Sequence, residues 1–384
     1  MTRPTVKVEI AFDGSTYIDV TLYSSGIQIT RGRSRETDQY ATGSASFTLR
    51  NEDRRFDPSN TAGLYYPNVE PGVPARISLD AVQVFGGFID DLDVNYQQPQ
   101  LCTVAVTCLD GFSLLAVAQL ISYSPASQGT GARISSVLAT VGYPGASSIA
   151  TGQTTLQAGS FSSVAALDHI QTCARTENGF MFVSRTGLFT FFDRYKVSNE
   201  TSQITFSDLG GTDVVYTKIT QKSQALLLYN QVLGTRTGGS LQQANDSASQ
   251  TQYHLRSLTL GQIENASDLD ALALCQYIVS RYSQPDVRFD LLSVELSTFG
   301  STTRAALEAL DLVQLVTVKR TPPGSGAPTT ITKLSVIDGI SFSLDASAGT
   351  YLMTINLGSV DTRAYFRLDD PVFGLLDAGN KLGY

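Results

Sequence analysis

Two histidines and four cysteines are all the imidazole and thiol chemistry this 384-residue chain offers. His169 and Cys173 stand four residues apart, which puts both on one side of a helix and suits a metal pair. No other His or Cys is near them in sequence, so they read as buried helix residues. His254 follows a Gly/Ser/Gln/Asn-rich stretch and has no nucleophile motif beside it. Asp90, Asp91 and Asp93 form an acidic cluster on a strand, with Asp91 and Asp93 on one face and Asp90 on the other. Calcium takes about six to eight oxygens, commonly from a loop, so the cluster reads as a solvent or intersubunit patch, with an ion site as the alternative. Asp168, Glu177 and Asp193 could supply a glycosidase-type carboxylate pair, but nothing in the sequence sets them at the required separation. G-x-S-x-G, H-E-x-x-H and Walker loops are absent. The expectation is no catalytic residue, no metal and no cofactor.

The elements around these groups are mostly strands. Val73–Leu79, Val84–Val94 and Cys102–Cys108 alternate apolar and polar residues as half-buried strands do. The same arrangement recurs as Asp311–Val318, Ser335–Leu344 and Tyr351–Leu357. Both middle strands carry apolar-x-Gly-apolar-Ile/Ser-x-x-apolar, which aligns Gly87 with Gly339. The chain therefore reads as a mainly β protein with α+β insertions, built on two related β-barrel-like modules. Two similar modules per subunit let a three-fold ring look six-fold to a neighbour.

Residues 1–110 form the first module in this reading. They include clean strands at 5–12 and 43–49 and a long loop over 51–72, the kind of excursion often used for interaction. Residues 111–212 form an α+β insert with helices expected over 112–121, 132–141 and 160–176, then a hairpin at 180–192. Residues 213–358 form the second module, with a Gly/Ser-rich loop at 238–252 and one helix at 268–283 capped by Ser267 or Asp268. Its apolar stripe is expected at Leu269, Leu272, Cys275, Ile278, Val279 and Tyr282. Residues 359–384 are left as a docking tail with large apolar groups outside any module.

Composition agrees with a β-rich, turn-rich chain: 32 Gly, 17 Tyr and 18 Phe with no Trp. The formal charge of -8 argues against gripping nucleic acid, because phosphate contacts need clustered Lys and Arg. The one basic cluster, Arg31, Arg33 and Arg35, reads as a solvated hairpin tip or a subunit contact. Cys102 and Cys108 share a strand face, and Cys173 and Cys275 sit on expected helices as small buried groups. That usage fits a reduced compartment. No apolar run approaches the roughly 18 residues of a membrane helix, and the first residues lack a secretion signal. The expectation is assembly in a cytoplasm.

Ser44-Ala45-Ser46-Phe47-Thr48-Leu49-Arg50-Asn51-Glu52-Asp53-Arg54-Arg55-Phe56-Asp57-Pro58 resembles the signature of minor tail proteins of long-tailed bacteriophages. Pro67, Gly72-x-Pro74-x-Arg76 and Phe85–Ile89 extend the resemblance. Phe366-x-Leu368-Asp369-Asp370-Pro371-x-Phe373-Gly374-x-Leu376-Asp377 is similar to the ending of the same proteins. The order of β-module, α+β insert and second β-module is similar to the tail hub, or baseplate hub, family.

The resemblance implies a non-enzymatic trimer at the distal end of the tail tube, part of the virion and assembled in a bacterial cytoplasm. It adapts six-fold to three-fold symmetry while DNA passes its lumen without specific binding. Implied partners are a distal tail ring or tail tube protein, a tape measure protein and other tail-tip or fibre proteins. Candidate interface residues are Arg31, Arg33, Arg35, Phe56, Tyr65, Tyr66, Phe366, Leu368, Phe373 and Leu376. The alternatives are a hexameric distal tail ring protein and a carbohydrate-binding or cell-wall-degrading tip protein.

Overall fold

The computed structural model describes residues 3–98, 101–198, 200–223 and 227–360. The candidate residues Phe366, Leu368, Phe373 and Leu376 lie outside them. The chain is mainly β with α+β segments, and its two related β-modules merge into a single sheet of fourteen strands among the described residues.

The first module contributes β1 (Val6–Ile10), β2 (Ile18–Asp19), β3 (Ser24–Gly32), β4 (Ala41–Arg50), β5 (Pro74–Leu79), β6 (Val82–Gln98) and β7 (Leu101–Leu109). β3, β4 and β7 show the period of two that puts one set of side chains in the core. In β4, Ala45, Phe47 and Leu49 are buried while Ser44, Ser46 and Thr48 face out. Asp80 and Ala81 join β5 to β6 with positive φ angles of 44° and 72°. A two-residue hairpin needs this conformation to match the strand twist.

Between the modules come α1 (Phe112–Val117), β8 (Gln119–Tyr123), β9 (Gln128–Gly129), α2 (Thr130–Thr140), β10 (Ser147–Ile149), β11 (Thr155–Leu156), β12 (Phe161–Ala165), α3 (Ala166–Glu177), β13 (Phe180–Val183) and β14 (Phe189–Phe192). Two helical expectations are corrected. Residues 119–121 and 161–165 are strands, because Gln119–Tyr123 and Phe161–Ala165 pair with each other. Cross-strand pairing overrides the local helical period there. α3 ends where expected, with Asn178 in the left-handed conformation at φ 54°.

The second module contributes β15 (Ile204–Ser207), β16 (Val214–Val215), β17 (Lys218–Ser223), β18 (Gln231–Arg236), β19 (Gln242–Asn245), α4 (Ser247–Tyr253), β20 (Ser257–Ile263), α5 (Asp268–Tyr282), β21 (Val287–Glu295), α6 (Ser301–Glu308), β22 (Leu315–Arg320), β23 (Ile331–Asp345) and β24 (Thr350–Ser359). Its sheet starts at Ile204, ahead of the expected boundary at 213, and it carries three helices where one is expected. The stretch expected as a loop at 238–252 holds β19 and α4. β18, β19 and β20 form a small sheet under α5, with a core of its own. α5 opens on a capping box in which Ser267 and Asp270 satisfy each other's amides. Its buried side is Ala271, Leu274, Cys275, Tyr277, Ile278 and Val279, and Leu269, expected in the stripe, is 76 % exposed.

The duplication extends to strand order. The first module runs β2-β1-β5-β6-β7-β4-β3 and the second β16-β15-β22-β23-β24-β21-β17. The two differ at one end: β1 is antiparallel to β5, whereas β15 is parallel to β22. Each long central strand has a bulge against its partner, between Ile89 and Asp91 in β6 and between Ile337 and Gly339 in β23. These bulges align Asp90 with Asp338. The glycine pattern in the sequence is therefore four residues out of register with the structural repeat. The modules join edge to edge: β3 pairs antiparallel with β23, from Gly32 opposite Gly339 to Ile27 opposite Leu344.

Candidate functional site

Directly opposite residues in a sheet share a face, so the register defines one surface spanning both modules. From β6 inward it carries Asp91, Asp93 and Asn95, then Thr107, Ala105 and Thr103 of β7. Ser44, Ser46 and Thr48 of β4 follow, with Thr30 and Gln28 of β3. Across the seam it continues through Ser341 and Ser343 of β23 and Thr354 of β24. The Gln28 amide donates to the Ser343 hydroxyl at 2.9 Å, bridging the two modules on this surface. The opposite face is core: Ile27, Ile29, Phe47, Val104, Val106, Ile340, Phe342 and Ile355 are all buried. The outer face from β7 to β24 is thus mostly short and polar, with Arg50, opposite Thr103, as an exposed cation and Asp345 beyond Ser343 as an acid.

The seam is tied by buried ions. Asp338, at the bulge of β23, accepts from Arg33 Nη2 at 2.8 Å and Nε at 3.0 Å. Arg31 Nη1 donates to Asp311 at 2.7 Å. Arg281 of α5 pairs with Glu36, whose carboxylate also accepts from the Tyr282 phenol at 2.7 Å and the Ser359 hydroxyl at 2.7 Å. Burial opposes the Glu36 charge, but Arg281 and these hydrogen bonds outweigh it and hold its carboxyl below the ordinary value. Arg31 and Arg33 are therefore spent inside the chain, a correction to the solvated hairpin tip expected for this run, and Arg35 alone is exposed. Their partners Asp311 and Asp338 are some 280 and 305 residues away. No local pattern announces them.

The 51–72 segment is a run of consecutive turns. Amides of Arg54, Asn60, Gly63 and Tyr66 each donate to the carbonyl three residues back. Phe56 is its anchor, 1 % exposed and stacked with Phe12 and Tyr65 at centroid distances of 6.2 and 5.6 Å. Tyr65 is half-buried, while Tyr66 and Leu64 face outward. Asp57 is desolvated, yet hydrogen bonds from Ser59, Tyr96 and Arg54 hold its carboxyl well below the usual range.

The residues considered for chemistry do not assemble a reactive centre. Asp168 is exposed at the first turn of α3 and Glu177 buried at its last. Nine residues of helix set them about 13 Å apart, beyond glycosidase spacing. Glu177 is fully used, accepting from Thr130 at 3.0 Å and the Thr154 amide at 2.8 Å, and Asp193 holds Gln153 at 2.8 Å. His254 is exposed just past α4. Asp90, Asp91 and Asp93 are all exposed and, among the described residues, gather no further ligand.

His169 and Cys173 do face one another, and Glu264 completes a trio within 4.8 Å, a residue that sequence spacing could not supply. The fully buried Arg133 guanidinium stands 3.5 Å from Glu264. Burial, aided by Arg133, pushes the His169 imidazole down to about 4. A resident cation already balances Glu264, so the trio fits a dication poorly. No helix among the described residues is long and apolar enough to cross a membrane.

No protein-family profile and no curated protein matches the sequence. The fold has clear counterparts among solved structures. A tail protein from Neisseria meningitidis MC58 superposes with a TM-score of 0.62 at 13 % identity, covering 93 % of this chain and 96 % of its own. The 43 kDa tail protein of prophage MuSo2 from Shewanella oneidensis gives 0.60 at 15 % identity, covering 93 % and 97 %. The prophage tail protein gp18 from Listeria monocytogenes EGD-e gives 0.52 at 9 % identity, covering 93 % and 96 %. The chain thus has the fold of phage tail proteins over nearly its whole length.

Proposed function

We propose that this protein is a non-enzymatic structural subunit of a phage tail tip, a hub closing or extending the distal end of the tail tube. Three copies surround a lumen through which DNA passes. The observation that carries this is the duplicated strand order joined edge to edge through β3 and β23. A subunit that already contains two equivalent modules reaches six-fold appearance with three copies. A ring of six copies leaves the internal repeat without a use.

The Ser/Thr face shared by both modules lines the lumen in this proposal. Its side chains are mostly short and neutral, with Arg50 and Lys222 as scattered cations, so phosphate meets no cluster of charge and DNA passes with little counterion release. Asp91 adds like charge. The Tyr66 loop and Arg35 are contacts to neighbouring tail components. The proposed docking tail at 359–384 supplies a further contact, so deleting 364–384 weakens assembly and leaves the subunit folded. The native mass of the purified chain tests the stoichiometry: a trimer is expected, and a stable hexamer would move the protein to the ring above.

A further inference from the structure

Among the described residues the two modules make one strand contact within the chain, and the symmetry of their orders calls for a second. β3 and β17 end their orders, and β6 and β23 hold the same central place. β3 finds β23. Among the described residues, β17 pairs only with β21, and β6 beyond its bulge pairs only with β7. The Leu92 amide on that stretch donates to the side chain of its neighbour Asp91 at 2.9 Å. Two strand edges that correspond to a made contact are thus left open, the arrangement that invites a strand from another chain.

We infer that β17 of one copy pairs antiparallel with residues 92–97 of β6 in the next copy, closing the ring. The inference rests on the hub reading above. The internal seam dictates its register. Gln28 leads across the sheet through Ser46 and Thr107 to Asp91, the residue after the first bulge. Thr220 leads through Leu291 and Asn356 to Gly339, the residue after the second. Thr220 therefore stands where Gln28 does, and Asn95 where Ser343 does. Gln28 faces Ser343, so Thr220 faces Asn95 of the next copy.

The same register sets Lys222 opposite Asp93 and Ile219 opposite Tyr96. The first brings Asp93 to Lys222 on the polar face, where the ammonium also pairs with Asp290 of its own chain at 2.5 Å. The second covers a tyrosine that is 60 % exposed in the isolated chain. The contact is head-to-tail, so it propagates until the rotation closes.

A double variant, Asn95→Cys with Thr220→Cys, tests it in the full chain. Directly opposed strand residues bring Cα atoms about 4.5–5.5 Å apart, within reach of a disulfide. The four native cysteines are buried, so background crosslinking is low. Oxidation is expected to give covalent dimer and trimer from the double variant, monomer from either single variant, and far less product from Gln97→Cys with Thr220→Cys. A native trimer that yields no crosslink overturns the pairing and leaves the hub reading standing. Crosslinks in an assembly of another native mass keep the pairing and remove that reading. A chain that stays monomeric overturns both. Should the cysteine variants misfold, Asp93→Lys is expected to dissociate the trimer, and Asp93→Lys with Lys222→Asp and Asp290→Lys, which also inverts the pair within the chain, to restore it; dissociation without rescue counts against the register.

Discussion

Arg33 and Asp338 show how a single pair ties the two modules together. The aspartate sits on the bulge that bends β23, and the arginine comes from the turn after β3, so the pair fixes the angle between modules. Breaking a buried pair by removing one partner costs about 3–5 kcal/mol. Asp338→Ala is expected to lower the urea midpoint accordingly, and a value under about 1 kcal/mol would mean the seam is held by strand pairing alone.

Glu36 and Glu308 give opposite pH signatures. Glu36 is depressed below its ordinary 4.5, so its stabilisation is present above that value and is lost as pH falls through the folded value. Glu308 is pushed up to about 7 by burial, with Asp80 adding to it, and both its oxygens lack hydrogen bonds. The folded state therefore binds more protons between about 4.5 and 7, and this contribution disappears as pH rises through that window. Glu308→Gln is expected to flatten the loss of stability from pH 5 to 8; an unchanged pH profile would contradict it. The His169, Cys173 and Glu264 trio predicts no rise in Tm with added zinc, and a rise would reinstate it as a metal site. The side-chain pairings at this scale were the least legible in the sequence, because Arg33 and Asp338, or His169 and Glu264, meet only after the chain has folded.

Strands explain most of what was legible at the scale of elements. The alternation of Ala45, Phe47 and Leu49, or of Val104 and Val106, follows from a half-buried sheet and needs no partner to be read. Phe161–Ala165 was not legible as strand because Val164 and Leu167 also fit a helical stripe, and only pairing with β8 decides between them. Gly32 marks a tight contact at the seam between the modules. A Cβ there would lie 2.3 Å from the Asp338 carbonyl oxygen and 2.7 Å from the Gly339 Cα, and its φ is +96°. Gly32→Val is expected to cost about 3 kcal/mol or more and to loosen β3 from β23. Hydrogen exchange reads this directly: amides of β3 and β23 should lose protection together, and an unchanged pattern would contradict the close approach.

The repeat was visible in the sequence for the whole molecule, but its register was not. Gly87 and Gly339 sit in similar strings of residues, whereas Asp90 and Asp338 sit at the same place in the sheet. A bulge is defined by its partner strand, and one strand's sequence does not carry that. The polar face was likewise hidden, because it draws a few serines and threonines from each of several distant strands. If that face lines the lumen, Ser46→Lys with Ser341→Lys should give salt-sensitive retention of DNA that the native assembly lacks. Equal DNA binding by both would place the face elsewhere.

The central claim is that two modules per chain build a six-fold surface from three chains. Imaging the symmetry and copy number of this protein in an assembled tail tip tests it most directly. Three copies, with six β-modules around the lumen and the Ser/Thr face turned inward, is the predicted result. Six copies, or three copies with that face turned outward, would contradict it.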